Sequence, residues 1–331
     1  MTSICTPSLA VARTAPAFDR QWNTWSASLG ALIWAACVAA AAGGGWQLGA
    51  AECLFLLAPL VTIPLGLRLA FDAQGQGIGL YRLALLVQPA GALLAAGSFA
   101  FPVGRVAGAL AVVWLGVTGC IGLCGVMGML RGGLPWFERV CLNLGLVYLP
   151  FGGLWLAASR FGLSPAGFHE PIVFLTAVHF HYAAFASPLL AAITGLAGRT
   201  AAGARHKLFP AAAIGVMVSP ALLAAGWAVG SPLLKIAAAL ALAAGLLGVV
   251  GLSFLAIPHF RSPLAGALLV VSGFAVAAGM YLVCAYAGGE YFGIKLITIP
   301  QMTVTHGVLN SLGFTLCGLL AWRIENIERS K

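Results

Sequence analysis

Charge is what this chain lacks most. Asp, Glu, Lys and Arg make up 8% of its 331 residues, against about 25% in an ordinary soluble domain. So little charge excludes a water-soluble fold of this length. Polar linkers, charge runs and low-complexity tracts are missing too, so nothing divides the chain into separate domains. The 8 cysteines (Cys5, Cys37, Cys53, Cys120, Cys124, Cys141, Cys284, Cys317) contain no CxxC pair. Most of them fall inside apolar stretches, where cysteine behaves as a small hydrophobe, and neither a disulfide framework nor a thiolate metal site is expected. Ten-residue segments of alternating polarity are absent, which argues against a transmembrane barrel.

What is present is apolar: 61% of the residues, in blocks of roughly 20, the length that crosses about 30 Å of hydrocarbon. The blocks lie near 28–46, 50–70, 80–101, 105–129, 139–158, 171–195, 208–229, 233–256, 263–285 and 299–322. Inside a bilayer every backbone polar group must be satisfied within its own segment, so the blocks are expected to be helices. The expected fold is all-α: a polytopic membrane bundle of about ten transmembrane helices with both termini cytoplasmic. Residues 1–27 form an N-terminal segment, 28–323 the membrane domain and 324–331 a short tail. The first 27 residues show no basic start followed by an apolar core, so the first span is expected to act as the insertion signal.

The net charge of +9 is one-sided. With the N-terminus inside, only Arg105, Arg160, Lys235 and Lys295 of the 17 basic residues fall on the outer side. That is the positive-inside bias of a multi-pass membrane protein with an even number of spans. The charge then orients the chain among membrane lipids, with a small attraction to anionic headgroups, and implies no nucleic acid.

Polar groups inside the apolar blocks are costly, about 2.5–3.5 kcal/mol for a charge at a helix centre, and are therefore the candidates for function. The sixth block holds Thr176, His179, His181, Tyr182 and Phe185. Residues two apart on a helix point about 200° apart, so His179 and His181 face opposite sides and form a poor chelate. The tenth block puts Thr303, His306 and Asn310 on one face. Counted from the outer end of their helices, all three histidines lie roughly 10–15 Å deep. The two blocks are therefore expected to be neighbours, with His181 and His306 facing a common cavity. Glu170, Glu290 and Glu52 stand at the outer ends, although Glu170 before Pro171 also suits a helix cap. Gln88, Tyr148 and Asn143 reach the middle from other spans, and Trp155 lies nearby. Asp72, four residues after Arg68, reads as a helix-end ion pair. Glu138 reads as an interfacial charge, and His169, His206 and His259 as solvated loop residues.

The segments His179-Phe-His-Tyr-Ala-Ala-Phe185 and Met302-Thr-Val-Thr-His-Gly-Val-Leu-Asn-Ser-Leu-Gly-Phe314 resemble two signatures of the bacterial YndJ-like membrane proteins. Ala184 stands where that family's pattern has glycine, and Ser311 where it has alanine. The resemblance implies that these two helices form the site and leaves the reaction open.

Three functions remain in play. The first is an intramembrane acid/base enzyme of the cyclase or isomerase type, acting without a cofactor on a lipophilic, isoprenoid-like substrate. Its catalytic groups would be His179, His181, His306, Glu170 and Glu52. Tyr182, Phe185, Asn310, Thr303, Trp155, Tyr148 and Gln88 would line the substrate. The second is a small-solute or proton-coupled transporter, which the same midplane histidines and the helix prolines suit. The third is a haem or metal protein with His181 and His306 as facing ligands.

Overall fold

The computed structural model describes residues 17–74 and 79–330. Cys5, Arg13 and Lys331 lie outside the described residues. Among the described residues the regular structure is helical throughout, and ten helices are long and apolar enough to cross a membrane. They are α1 (Trp22–Ala42), α2 (Ala50–Gln74), α3 (Gly79–Ala100), α4 (Arg105–Leu130), α5 (Trp136–Phe161), α6 (Ile172–Arg199), α7 (Gly203–Ala228), α8 (Pro232–His259), α9 (Pro263–Phe292) and α10 (Ile299–Arg329). The first begins earlier and the last ends later than hydropathy alone marks them, because Trp22, Trp25 and the terminal charged turns extend each helix beyond its apolar part.

The bundle is apolar on its outside as well as its inside. Leu83, Val112, Leu123, Ile214, Leu240 and Phe274 all stand exposed on helix faces. A contiguous coat of this kind suits hydrocarbon and not water. The chain is thus a multi-pass membrane protein, with ten candidate crossings among the described residues.

One helix occupies the centre. The apolar window of α2 is wholly buried, enclosed by α1, α3, α6 and α10. Small residues allow the close approaches. On α4 a glycine recurs every third residue from Gly116 to Gly128 and forms a ridge. Gly122 lies against Pro150 and Gly125 against the Asn143 carbonyl of α5, whereas Gly116 and Gly119 meet nothing. The glycine ridge is therefore a packing device along its second half only.

Charges are spent on helix ends. Arg68 pairs with Asp72 at 2.7 Å. Buried Glu325 accepts from the backbone N–H of Arg261 (2.9 Å) and Ser262 (3.2 Å), capping the start of α9. Lys235 and Glu290 join the ends of α8 and α9 in an ion pair, with the ammonium over the Trp227 ring.

Candidate functional site

Three neighbouring helices lose their α-helical register at a similar depth. α2 widens to a π-turn over Ala58–Thr62, α6 over Tyr182–Ala186, and α10 over Thr303–Gly307 and again over Leu309–Leu316. Such bulges frequently mark functional positions, because they redirect side chains at the cost of irregular backbone bonding. Each is followed or filled by residues that explain it. In α2 the N–H of Ile63 bonds the Ala58 carbonyl. The next donor in that register would be Pro64, which has none, so the Pro59 carbonyl is released. Gln88 Nε2 donates to it at 2.6 Å, and Gln88 Oε1 accepts from Ser26 at 3.2 Å. In α6 the Ser187 N–H reaches the Tyr182 carbonyl, and Pro188 follows. In α10 the hydroxyls of Thr303, Thr305 and Ser311 donate back to the carbonyls of Ile299 (3.0 Å), Gln301 (2.7 Å) and Gly307 (2.8 Å). Each of these side chains gives a carbonyl of the widened helix a donor of its own.

The two α6 histidines have separate environments, as their spacing requires. His181 is fully buried. Its Nδ1 lies 2.7 Å from the Ala177 carbonyl, an acceptor only, so Nδ1 carries the proton. Its Nε2 accepts from the Trp114 indole N–H at 3.0 Å. Phe55 meets the ring edge-on at a centroid distance of 5.0 Å, and the Gly152 backbone closes the remaining side. Both ring nitrogens are occupied, which corrects the expectation that His181 faces a cavity with His306. It has no lone pair left for acid/base work or for an iron atom.

His179 is the residue that meets His306. Their rings lie 6.4 Å apart and are nearly parallel, at 23°. His179 Nδ1 donates to the Leu175 carbonyl at 3.1 Å, and His306 Nδ1 lies 3.1 Å from the Gly279 carbonyl of α9. Asn310 Nδ2 reaches the His306 carbonyl at 2.8 Å and brackets the ring from the next turn. The His179 tautomer follows from an acceptor that can only accept, whereas His306 Nδ1 lies between the Gly279 carbonyl and the donor Asn310 Nδ2 at 3.0 Å, which would favour opposite tautomers. Neither Nε2 has a hydrogen bond among the described residues, and that of His179 is a lone pair. His179 is exposed and His306 half-buried, so the pair opens on the outside of the bundle. Each stands about 10 Å in from the end of its helix at 1.5 Å per residue.

The other expected site residues divide. Thr303 and Asn310 share the His306 stripe. Tyr182, nearly buried, donates its hydroxyl to the Leu54 carbonyl at 2.6 Å and ties α6 to α2 beneath the pair. Phe185 is fully buried against Gly66 and Leu189. Tyr148 donates to the Met217 carbonyl of α7 at 3.0 Å. Trp155 lies against Phe168, with ring centroids 6.1 Å apart. Gln88 serves the α2 break. These four belong to packing and to backbone repair, and they do not line the histidine pair. The carboxylates are likewise engaged. Glu170 accepts from the Ser159 hydroxyl (2.5 Å) and the Phe174 N–H (3.1 Å), the cap that its position before Pro171 allowed. Glu52, in the first turn of α2, and Glu170 both attract Arg160. Glu290 is held by Lys235. Among the described residues no three His, Cys, Asp or Glu side chains converge as metal ligands. Trp114 and the Gly279 carbonyl escape a reading of the sequence. A buried indole on a glycine-rich helix and a backbone oxygen carry no motif.

Comparison with known proteins bears on these same helices. A model of the YndJ-like protein family matches residues 53–314. The chain belongs to the YndJ-like family. The match runs from the central helix to the α10 π-segment and so encloses both histidines of the pair. A YndJ-like relative from Bacillus subtilis, described as an uncharacterized membrane protein, is 31% identical over 222 residues. That alignment covers 67% of this chain but 39% of the relative, so this YndJ-like chain spans well under half of the longer protein. No solved structure matches it.

Proposed function

We infer that the His179–His306 pair is an intramembrane proton-transfer site acting on a lipophilic, isoprenoid-like substrate, and that the reaction is an isomerisation. One observation carries this reading. Two histidines face each other across 6.4 Å, each with Nδ1 against a backbone carbonyl and Nε2 free of hydrogen bonds, on the outside of an apolar bundle. The free Nε2 of one histidine takes a proton from a carbon of the substrate, and the imidazolium so formed returns it to another carbon. The atoms balance without a further reactant, and no cofactor is needed for such a step. Glu170 is engaged by the Ser159 hydroxyl and the Phe174 N–H as the cap of α6, which leaves the histidines as the groups for proton transfer, and isomerisation fits better than cyclisation. An opening on the side of the bundle suits a substrate arriving from the lipid phase.

The chain would lie in the bacterial cytoplasmic membrane with both termini inside, as its basic residues are distributed. A second reading, a solute carrier, draws support from three adjacent helices broken at a similar depth. One experiment separates the two. Cells expressing the wild type, His179→Gln and His306→Gln are compared by lipid profiling and by uptake of labelled solutes. The enzyme reading expects an altered lipid species with the wild type that falls 100-fold or more, roughly the share of one general acid/base, in each variant. Unchanged lipids with a histidine-dependent uptake would overturn it in favour of the carrier.

A further inference from the structure

A second cluster lies at the far end of the bundle from the histidine opening, where α5 begins and α6 gives way to α7. A cavity of about 270 Å³ opens there, lined by Phe137, Glu138, Arg199, His206, Lys207 and Phe209 among others. Glu138 and His206 are not the interfacial charge and solvated loop residue that their positions suggest. Glu138 is 1% exposed. Arg199 holds it with Nε at 2.7 Å and the second nitrogen of the fork at 3.4 Å. His206 Nε2 approaches the same carboxylate at 3.4 Å, and its ring stacks on Phe209 at 5.5 Å.

The carboxylate thereby orients a guanidinium without consuming the local charge. Arg199 keeps 45% of its side chain exposed. Lys207 is exposed on the cavity rim, and Arg205 is exposed two residues before it. The cavity lining thus sets Arg199, His206 and Lys207 against one carboxylate, that of Glu138. The volume is smaller than the roughly 300–1,000 Å³ of a typical small-molecule pocket. It suits one tetrahedral oxyanion and the first atoms of its ester. Basic cavities between membrane helices on the cytoplasmic side hold phosphorylated headgroups by charge-assisted hydrogen bonds.

We propose that the Arg199–His206–Lys207 cavity binds a phosphate group, that of an anionic lipid headgroup or of a soluble phosphate. The fixed Arg199 fork supplies direction, Lys207 supplies charge from the rim, and the Phe137 and Phe209 rings line the apolar part of the wall. The site is independent of the histidine pair.

The test uses the full chain, purified in detergent. Native mass spectrometry counts retained phosphatidylglycerol against phosphatidylcholine, and titrations follow inorganic phosphate and glycerol 3-phosphate. Lys207→Gln leaves the Glu138 pairing intact, so it reports on binding and not on folding. Arg199→Gln removes the fork, and Lys295→Gln, at the opposite end, is the control. The expected result is preferential retention of phosphatidylglycerol, about five-fold weaker in Lys207→Gln, the share of one basic residue near a lipid surface. Arg199→Gln should weaken it further, and Lys295→Gln should not change it. Saturable binding of glycerol 3-phosphate or phosphate, with no preference between the two lipids, also supports the cavity and assigns it to a soluble ligand. Equal retention of both lipids together with no response to either phosphate overturns it. So does a phosphatidylglycerol preference that Lys207→Gln leaves unchanged.

Discussion

At the scale of single residues, His179 and His181 show how two identical side chains two positions apart on one helix acquire opposite tasks. His181 is closed on every side, with its proton committed to Ala177 and its lone pair to Trp114. It is a strut between α4 and α6. Replacing Trp114 by Phe keeps most of the ring but strands the lone pair. The expected cost is about 1–2 kcal/mol, in line with interhelical hydrogen bonds in membrane bundles and the penalty for an unmade buried bond. Thermal unfolding in detergent measures it, and an unchanged midpoint would show that the bond contributes nothing. His179→Gln, at an exposed position, should stay within about 0.5 kcal/mol of the wild type in the same assay. The opposite directions of the two rings follow from a spacing of two on a helix, so that much is legible from the chain alone. Which ring meets His306 is not, because it depends on which neighbours α6 acquires, and those come from other parts of the chain. Glu170 shows the converse. Its capping role was readable from Pro171, since a cap is a local matter.

At the scale of elements, the interruptions in α2, α6 and α10 are the feature that hydropathy cannot show. A window average places each span within a few residues, because length and apolarity are what the bilayer requires. Pro64 and Pro188 announce that a donor is missing, but they do not say whether the helix kinks or widens, nor who satisfies the released carbonyl. Gln88, expected beside a substrate, answers that for α2 through a bond that crosses from another helix to Pro59. The physical claim is that Gln88 replaces the donor absent at Pro64. Gln88→Leu should therefore destabilise the protein by about 1–2 kcal/mol. Pro64→Ala returns an N–H to the same stretch of α2, so the loss from Gln88→Leu should shrink by at least about 0.5 kcal/mol in that background. Additive effects of the two substitutions would show that the glutamine and the missing donor are unrelated.

At the scale of the whole molecule, a buried central helix is an unusual use of a membrane span. α2 meets no lipid along its apolar window, so its sequence is free of the need to present a lipid-facing side and can carry two prolines. The surrounding helices meet the bilayer instead, which is why their outward faces are as apolar as their inward ones. Orientation is decided outside the apolar layer, by charges too far apart to contact one another. Arg105, Arg160, Lys235 and Lys295 stand at one end, and the loops at Arg131 and Arg205 at the other. Because that asymmetry acts during insertion and not through packing, the folded helices carry no trace of it, and only accessibility from one side of the membrane tests it. In a cysteine-free background, Arg205→Cys and Lys295→Cys each place one thiol at an exposed position at opposite ends. A membrane-impermeant maleimide added to intact cells should modify position 295 at once and position 205 only after permeabilisation. The reverse pattern would invert the protein. It would also put the Arg199 cavity on the outer surface, where a preference for anionic headgroups of the inner leaflet would have no role to play.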